Sequence, residues 1–224
     1  MIPWLQLDTA RVPGADVQLR LMQRGAEFSM RLGQNELMSS RLSGSEEALA
    51  TLACRRIEAV KSPHLLIGGL GMGFTLRAAL AVLGSDARIM VAELVPAVIG
   101  WARGPMADIF GDSLDDPRAS IREADVVDVI RSHDSAFDAI LLDVDNGPEG
   151  LIRKANDALY DLKGLNAIRR ALRPGGVLAV WSSRPNPLFS KRLRVAGFDV
   201  NEVAVRATTK RSGARHVIWF ATKP

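Results

Sequence analysis

The sequence predicts an α/β protein: a Rossmann-like domain on a central, mostly parallel seven-stranded sheet that ends in an antiparallel hairpin, with a small β appendage in front of it. Three observations carry this expectation. From His64 onward, short apolar runs alternate with helical patterns at the spacing of βαβ units. The first of these runs passes directly into a glycine-rich turn, Gly68-Gly69-Leu70-Gly71-Met72-Gly73. Two strand-like segments near the end flank a polar stretch, Thr208 to Gly213, of hairpin length.

Taken in order, residues 1–42 read as the appendage. Val17 to Met22 and Phe28 to Leu32 alternate in the manner of strands, with a turn at Arg24-Gly25 and a stop at Gly33. Ser43 or Ser45, followed by Glu46 and Glu47, has the composition of a capped helix start. The apolar spacing of Leu49, Leu52, Ala53 and Ile57 continues that helix to about Val60. Five parallel strands then follow at Leu65–Ile67, Arg88–Ala92, Ala119–Ile121, Ala139–Leu142 and Val177–Trp181. Phe198–Val205 and His216–Ala221 form the closing hairpin. A βα series closed in this way is the arrangement of class I methyltransferase folds.

A chain of 224 residues, 47% of them hydrophobic, can bury one substantial core. A single Rossmann-like domain, residues 43–224, behind the appendage of residues 1–42 is expected. Lys and Arg exceed Asp and Glu by 29 to 25. The charges are scattered and only Arg184 to Arg215 is clearly basic, which fits an ordinary solvated surface rather than a nucleic-acid footprint. The single cysteine, Cys54, falls within a helical apolar pattern and reads as a small buried residue, so no disulfide framework forms within the chain. The start has no basic segment leading into an apolar run, and no apolar stretch reaches the ~20 residues that span a bilayer. The expectation is a cytoplasmic protein without a membrane segment.

The glycine turn, around Gly69, Gly71 and Gly73, lies between a strand and a helix beginning near Thr75. Glycines there permit positive φ and close approach of the backbone to a ligand. Glu93 ends the next strand, where a carboxylate can accept both ribose hydroxyls of an adenosyl group. Asp125 follows the third strand, placed to meet an adenine amino group. Each has a plainer reading: Glu93 and Asp125 as helix caps, the glycines as a turn. The three together at this spacing favour nucleoside binding, with dinucleotide binding as the competitor that the Asp125 position and the terminal hairpin fit less well.

Several local segments resemble the spermidine synthases (polyamine aminopropyltransferases) over roughly residues 28–205. They are Gly69-Leu70-Gly71-Met72-Gly73-Phe74-Thr75-Leu76-Arg77, Glu93 with Val95 and Val98, Asp116-Pro117-Arg118, Ala124-Asp125, Phe137-Asp138-Ala139-Ile140 leading to Asp143, and Gly147-Pro148 with Leu159-Tyr160. The resemblance implies that Gly69, Gly71, Gly73, Glu93 and Asp125 bind S-adenosylmethionine or its decarboxylated form as co-substrate. It implies Asp143 as the acid-base carboxylate and Asp145 as a grip on a cationic acceptor, with a possible homodimer. The sequence also departs from the pattern. Met72 stands where the family carries an aspartate, the acceptor loop is the shorter Asp143-Val144-Asp145-Asn146-Gly147-Pro148, and the amino-terminal region lacks the Gln and Tyr-His signals.

In alkyl transfer from a sulfonium the donor supplies its own activation, and the protein orients the reactants and excludes water. An amine acceptor arrives protonated, so a carboxylate at the fourth strand end, Asp143, takes its proton. Asp145 and Glu149 add negative charge suited to a small cationic amine, although Asp145-Asn146-Gly147-Pro148 also reads as a simple turn. Trp181 reads equally as pocket lining or as core. His64, His133 and His216 have no metal-ligand spacing, so no metal is expected and no role is assigned to them. Three functions stand: aminopropyl transfer, S-adenosylmethionine-dependent methyl transfer, and a non-catalytic nucleoside-binding homologue.

Overall fold

The computed structural model describes residues 2–144, 158–207 and 214–224. Four strands open the chain: β1 (Leu5–Arg11), β2 (Gln18–Arg24), β3 (Glu27–Leu32) and β4 (Asn35–Ser39). They form an antiparallel sheet in sequential order, so the expected pair of short strands is extended by one on each side. β1 and β4 are mostly exposed or half-buried, which left them without the alternation that marks a strand in sequence.

Helix α1 (Gly44–Arg56) follows. Ser43 stands at its N-cap without a side-chain capping bond, and the helix ends at Arg56 rather than near Val60. The second sheet then alternates strand and helix: β5 (His64–Gly68), α2 (Phe74–Val82), β6 (Arg88–Glu93), α3 (Pro96–Arg103), α4 (Ala107–Phe110), β7 (Ala119–Glu123), α5 (Val126–Arg131) and β8 (Phe137–Leu142). After it come α6 (Leu162–Ala171), β9 (Leu172–Ser182), α7 (Pro187–Val195), β10 (Asp199–Arg206) and β11 (Arg215–Thr222).

The strand order β10-β11-β9-β8-β5-β6-β7 has β5, β6, β7, β8 and β9 parallel, with β11 antiparallel to both β9 and β10. This is the seven-stranded, mostly parallel Rossmann-like class I methyltransferase arrangement read from the sequence. Its central strands are covered on both faces, which is why they read as continuous apolar runs. Leu65, Ile67, Val91, Leu141 and Ala179 face one core together with α1, α2 and the buried residues Leu21, Phe28 and Met30 of the first sheet. Leu66, Ile140, Leu142 and Val180 face the other, under α5, α6 and α7. The four-stranded sheet therefore shares a core with the main one, and Trp101 Nε1 donates to Asp8 Oδ2 at 2.6 Å between them.

Among the described residues no helix is long and apolar enough to cross a membrane.

Candidate functional site

Parallel register sets the site. Gly68 stands opposite Ala92 on β6 and Leu142 on β8, and Leu142 stands opposite Val180 on β9. The next residue along each strand places Glu93, Gly69, Asp143 and Trp181 in one row across the carboxyl ends. The chain reverses its direction of travel across the sheet at β5, between β6 and β8, the point where open α/β sheets bind ligands.

The turn after β5 uses its glycines for stated reasons. Gly69, Gly71 and Gly73 have φ of +87°, +51° and +77°, values that disfavour side chains. At Gly73 a Cβ would also lie 2.4 Å from Phe110 Cε1. Gly73 is the N-cap of α2, which starts at Phe74.

Glu93 is buried at the end of β6. Its Oε2 accepts from the Leu70 amide and its Oε1 from the Val95 amide, both at 2.8 Å. Burial pushes its proton affinity above the ordinary carboxylate range, and the amides of Leu70, Val95, Gly71 and Leu94 pull it back in part. The carboxylate thus ties the glycine turn to the start of α3, where Val95 is the N-cap. Asp125 is the N-cap of α5 and accepts from the Val127 amide at 2.9 Å. Asp125 therefore both caps a helix and lines the cavity described next, whereas Glu93 lines that cavity without capping α3, whose N-cap Val95 has no side-chain capping bond.

A cavity of about 200 Å³ lies over this row. Gly69, Gly71, Gly73, Glu93, Asp125, Asp143 and Trp181 all line it, so six donor-side and catalytic candidates read from sequence come together with the tryptophan. Asp145 and Glu149 lie outside the described residues. Met72 presents its side chain where the sequence departs from the spermidine synthase pattern, and it too lines the cavity.

Asp143 follows the wholly buried strand β8. It keeps some surface toward the cavity, while the protein packed around it pushes its carboxyl up to about 8, the charge of Glu46 adding to the effect of burial. At neutral pH it therefore holds a proton more firmly than an ordinary aspartate does.

Two parts of the site were missed in the sequence. The first is its roof: Val12, Leu19, Met30, Leu37 and Met38, from the amino-terminal sheet and its connections, line the cavity. Met38 Sδ lies 3.2 Å from where a Cβ on Gly71 would stand, so β4 closes directly over the glycine turn. Nothing local in β4 signals this. The second is Glu46, read only as part of a helix start. It lines the cavity from the first turn of α1, and burial raises its proton affinity. Ser45 Oγ donates to Glu46 Oε2 at 2.7 Å, and His216 Nδ1 lies 3.0 Å from the same hydroxyl. With its only proton given to Glu46, Ser45 accepts from His216, which fixes the imidazole proton on Nδ1. The His216 ring stands edge-on to Trp181 at 4.8 Å. His216 thus has a place behind the site that its isolation in sequence concealed.

No family model matches the chain. Over 156 residues it is 31% identical to polyamine aminopropyltransferase 1 of Streptomyces coelicolor, a match covering 68% of this chain and 28% of that protein. Over 154 residues it is 32% identical to the polyamine aminopropyltransferase of Mycobacterium tuberculosis, covering 65% and 28%. The chain thus spans less than a third of the length of the curated relatives it matches. Among solved structures, spermidine synthase from Thermotoga maritima superposes with a TM-score of 0.76 at 21% identity, covering 98% of this chain and 73% of that one. A spermidine synthase in complex with the transition-state analogue AdoDATO gives 0.75 at 20% identity, covering 98% and 72%. In its fold the chain is similar to the spermidine synthases, and over about two thirds of its length its sequence is similar to the polyamine aminopropyltransferases.

Proposed function

We propose that this protein transfers an aminopropyl group from decarboxylated S-adenosylmethionine to a small amine. The observation that carries the reading is Asp143, a carboxyl with raised proton affinity at the carboxyl end of β8, in one row with the glycine turn and Glu93. In this reading the adenosyl group lies against Gly69, Gly71 and Gly73, with its ribose on Glu93 and its adenine beside Asp125. The donor's arm then extends toward Asp143.

The amine attacks the donor carbon next to sulfur. Its lone pair forms the new C–N bond, the C–S pair departs with sulfur to leave methylthioadenosine, and the proton shed by the amine passes to Asp143. A carboxyl near 8 accepts that proton better than one near 4, and it is still ionised in a useful fraction of molecules at neutral pH. The apolar roof from β4 and its neighbours excludes water, which would otherwise compete for the donor.

Methyl transfer from intact S-adenosylmethionine is the second reading, and Met72 favours it: the turn presents an apolar side chain to the cavity in place of an acid. One experiment separates these from a non-catalytic nucleoside binder. Purified protein is supplied with each donor and with putrescine, and the products are followed as methylthioadenosine or S-adenosylhomocysteine. Methylthioadenosine is expected from wild type, with a loss of at least about 100-fold in Asp143→Asn, the scale of a general base, and little change in methylthioadenosine affinity. S-adenosylhomocysteine would establish the second reading. Donor binding without either product would establish the binder.

A further inference from the structure

Two carboxylates, Glu46 and Asp143, reach one cavity from different elements, the first turn of α1 and the end of β8. Among the described residues neither forms an ion pair with Lys or Arg. Glu46 is oriented from behind by the buried Ser45 hydroxyl, itself held by His216, so it is positioned without being neutralised. Beside them Trp181 is 8% exposed, and its indole Nε1 has no hydrogen-bond partner.

Sheet order gives this pole a direction. Glu93 ends β6 and Asp125 follows β7 on one side of β5, whereas Asp143 follows β8 and Trp181 lies on β9 on the other. A ligand with its nucleoside over Glu93 and Asp125 lays its arm toward Asp143 and Trp181, where Glu46 descends.

We propose that Glu46 is the specificity-determining residue of this site: with Asp143 it makes the arm-facing pole anionic, so that an arm ending in an ammonium is accepted and one that also carries a carboxylate is rejected. This rests on the donor reading given above and decides between its two donors. A carboxylate charge shared by this pair between apolar walls attracts a cation strongly, and a second negative charge brought by the ligand is repelled by it. The charge that the glycine turn lacks at Met72 is supplied here from a helix distant in sequence.

Calorimetric titration of the full chain with decarboxylated S-adenosylmethionine, S-adenosylmethionine and methylthioadenosine tests this in wild type, Glu46→Gln and Glu46→Asp. Wild type is expected to prefer the decarboxylated donor by about tenfold or more, the scale of one uncompensated like-charge contact. E46Q is expected to bring the two donors within about threefold, with the affinity for methylthioadenosine, which has no charged arm, unchanged. E46D, whose charge is withdrawn by one methylene, is expected to fall between; this variant decides the matter should E46Q not fold. A wild-type protein that binds methylthioadenosine with no donor preference, or a preference unaltered in both variants, overturns the inference and leaves the nucleoside site standing. A wild-type protein that binds none of the three overturns the donor reading itself.

Discussion

At Glu93, holding the turn and lining the cavity coincide in one side chain. Amide bonds to a carboxylate contribute on the order of 1.5–3 kcal/mol each, so the Leu70 and Val95 amides fix the glycine turn before any ligand arrives. The turn is correspondingly intolerant. Gly73→Ala combines an unfavourable φ with a 2.4 Å approach to Phe110, and a loss of about 1–3 kcal/mol or more is expected, read as a lower urea midpoint. Asp143 makes a prediction of opposite character. Its carboxyl is raised to about 8 from 3.8, so the folded state binds more protons than the unfolded state between those values. Stability contributed by this group is full at low pH and is lost as pH rises toward 8. Asp143→Asn should therefore flatten the decline of the thermal midpoint between about pH 4 and 8. Turnover by wild type should rise through the same upper limb as the base ionises.

At the scale of elements, helix starts carry much of the site. Asp125 caps α5 while facing the cavity, and two substitutions divide these roles. Asp125→Ser retains a good cap and should leave stability nearly unchanged while weakening methylthioadenosine binding. Asp125→Ala should lose both, at a stability cost of about 1 kcal/mol. Titration and urea unfolding of the two variants, side by side, check this. The α1 start shows the limit of local reading. Ser45-Glu46-Glu47 has a helix-start composition, yet the hydroxyl of Ser45 turns to Glu46 rather than to the backbone. A capping pattern and a cavity-facing acid have the same local spelling. The strands β1 and β4 escaped sequence reading for a related reason, since a half-exposed strand has no clean alternation.

At the scale of the whole molecule, the four-stranded sheet and the parallel sheet are joined through α1. Cys54 sits in that helix at 1% exposure, its thiol pushed up to about 12 by burial. A thiol-reactive disulfide reagent should label it only in molecules that have opened globally. Saturating methylthioadenosine should slow the labelling; at 100 times its Kd, ligand linkage is worth about 2.7 kcal/mol. Labelling at the rate of a free thiol would show that α1 detaches from the core without unfolding of the rest.

The parallel strands, the glycine turn and the acids at the strand ends were all legible from the residues, because strand period, positive-φ glycine and the residue following a strand are local properties that any βαβ series repeats. The roof of the cavity and its second carboxylate were not. Met38 meets Gly71, and Glu46 meets Asp143, across gaps of dozens of residues, and no local preference of either segment encodes the other. Those partnerships arise when the apolar faces of the first sheet and of α1 are buried against the parallel sheet, and it is that packing, through Met38 and Glu46, that gives the glycine turn its cover and the cavity its second carboxyl group.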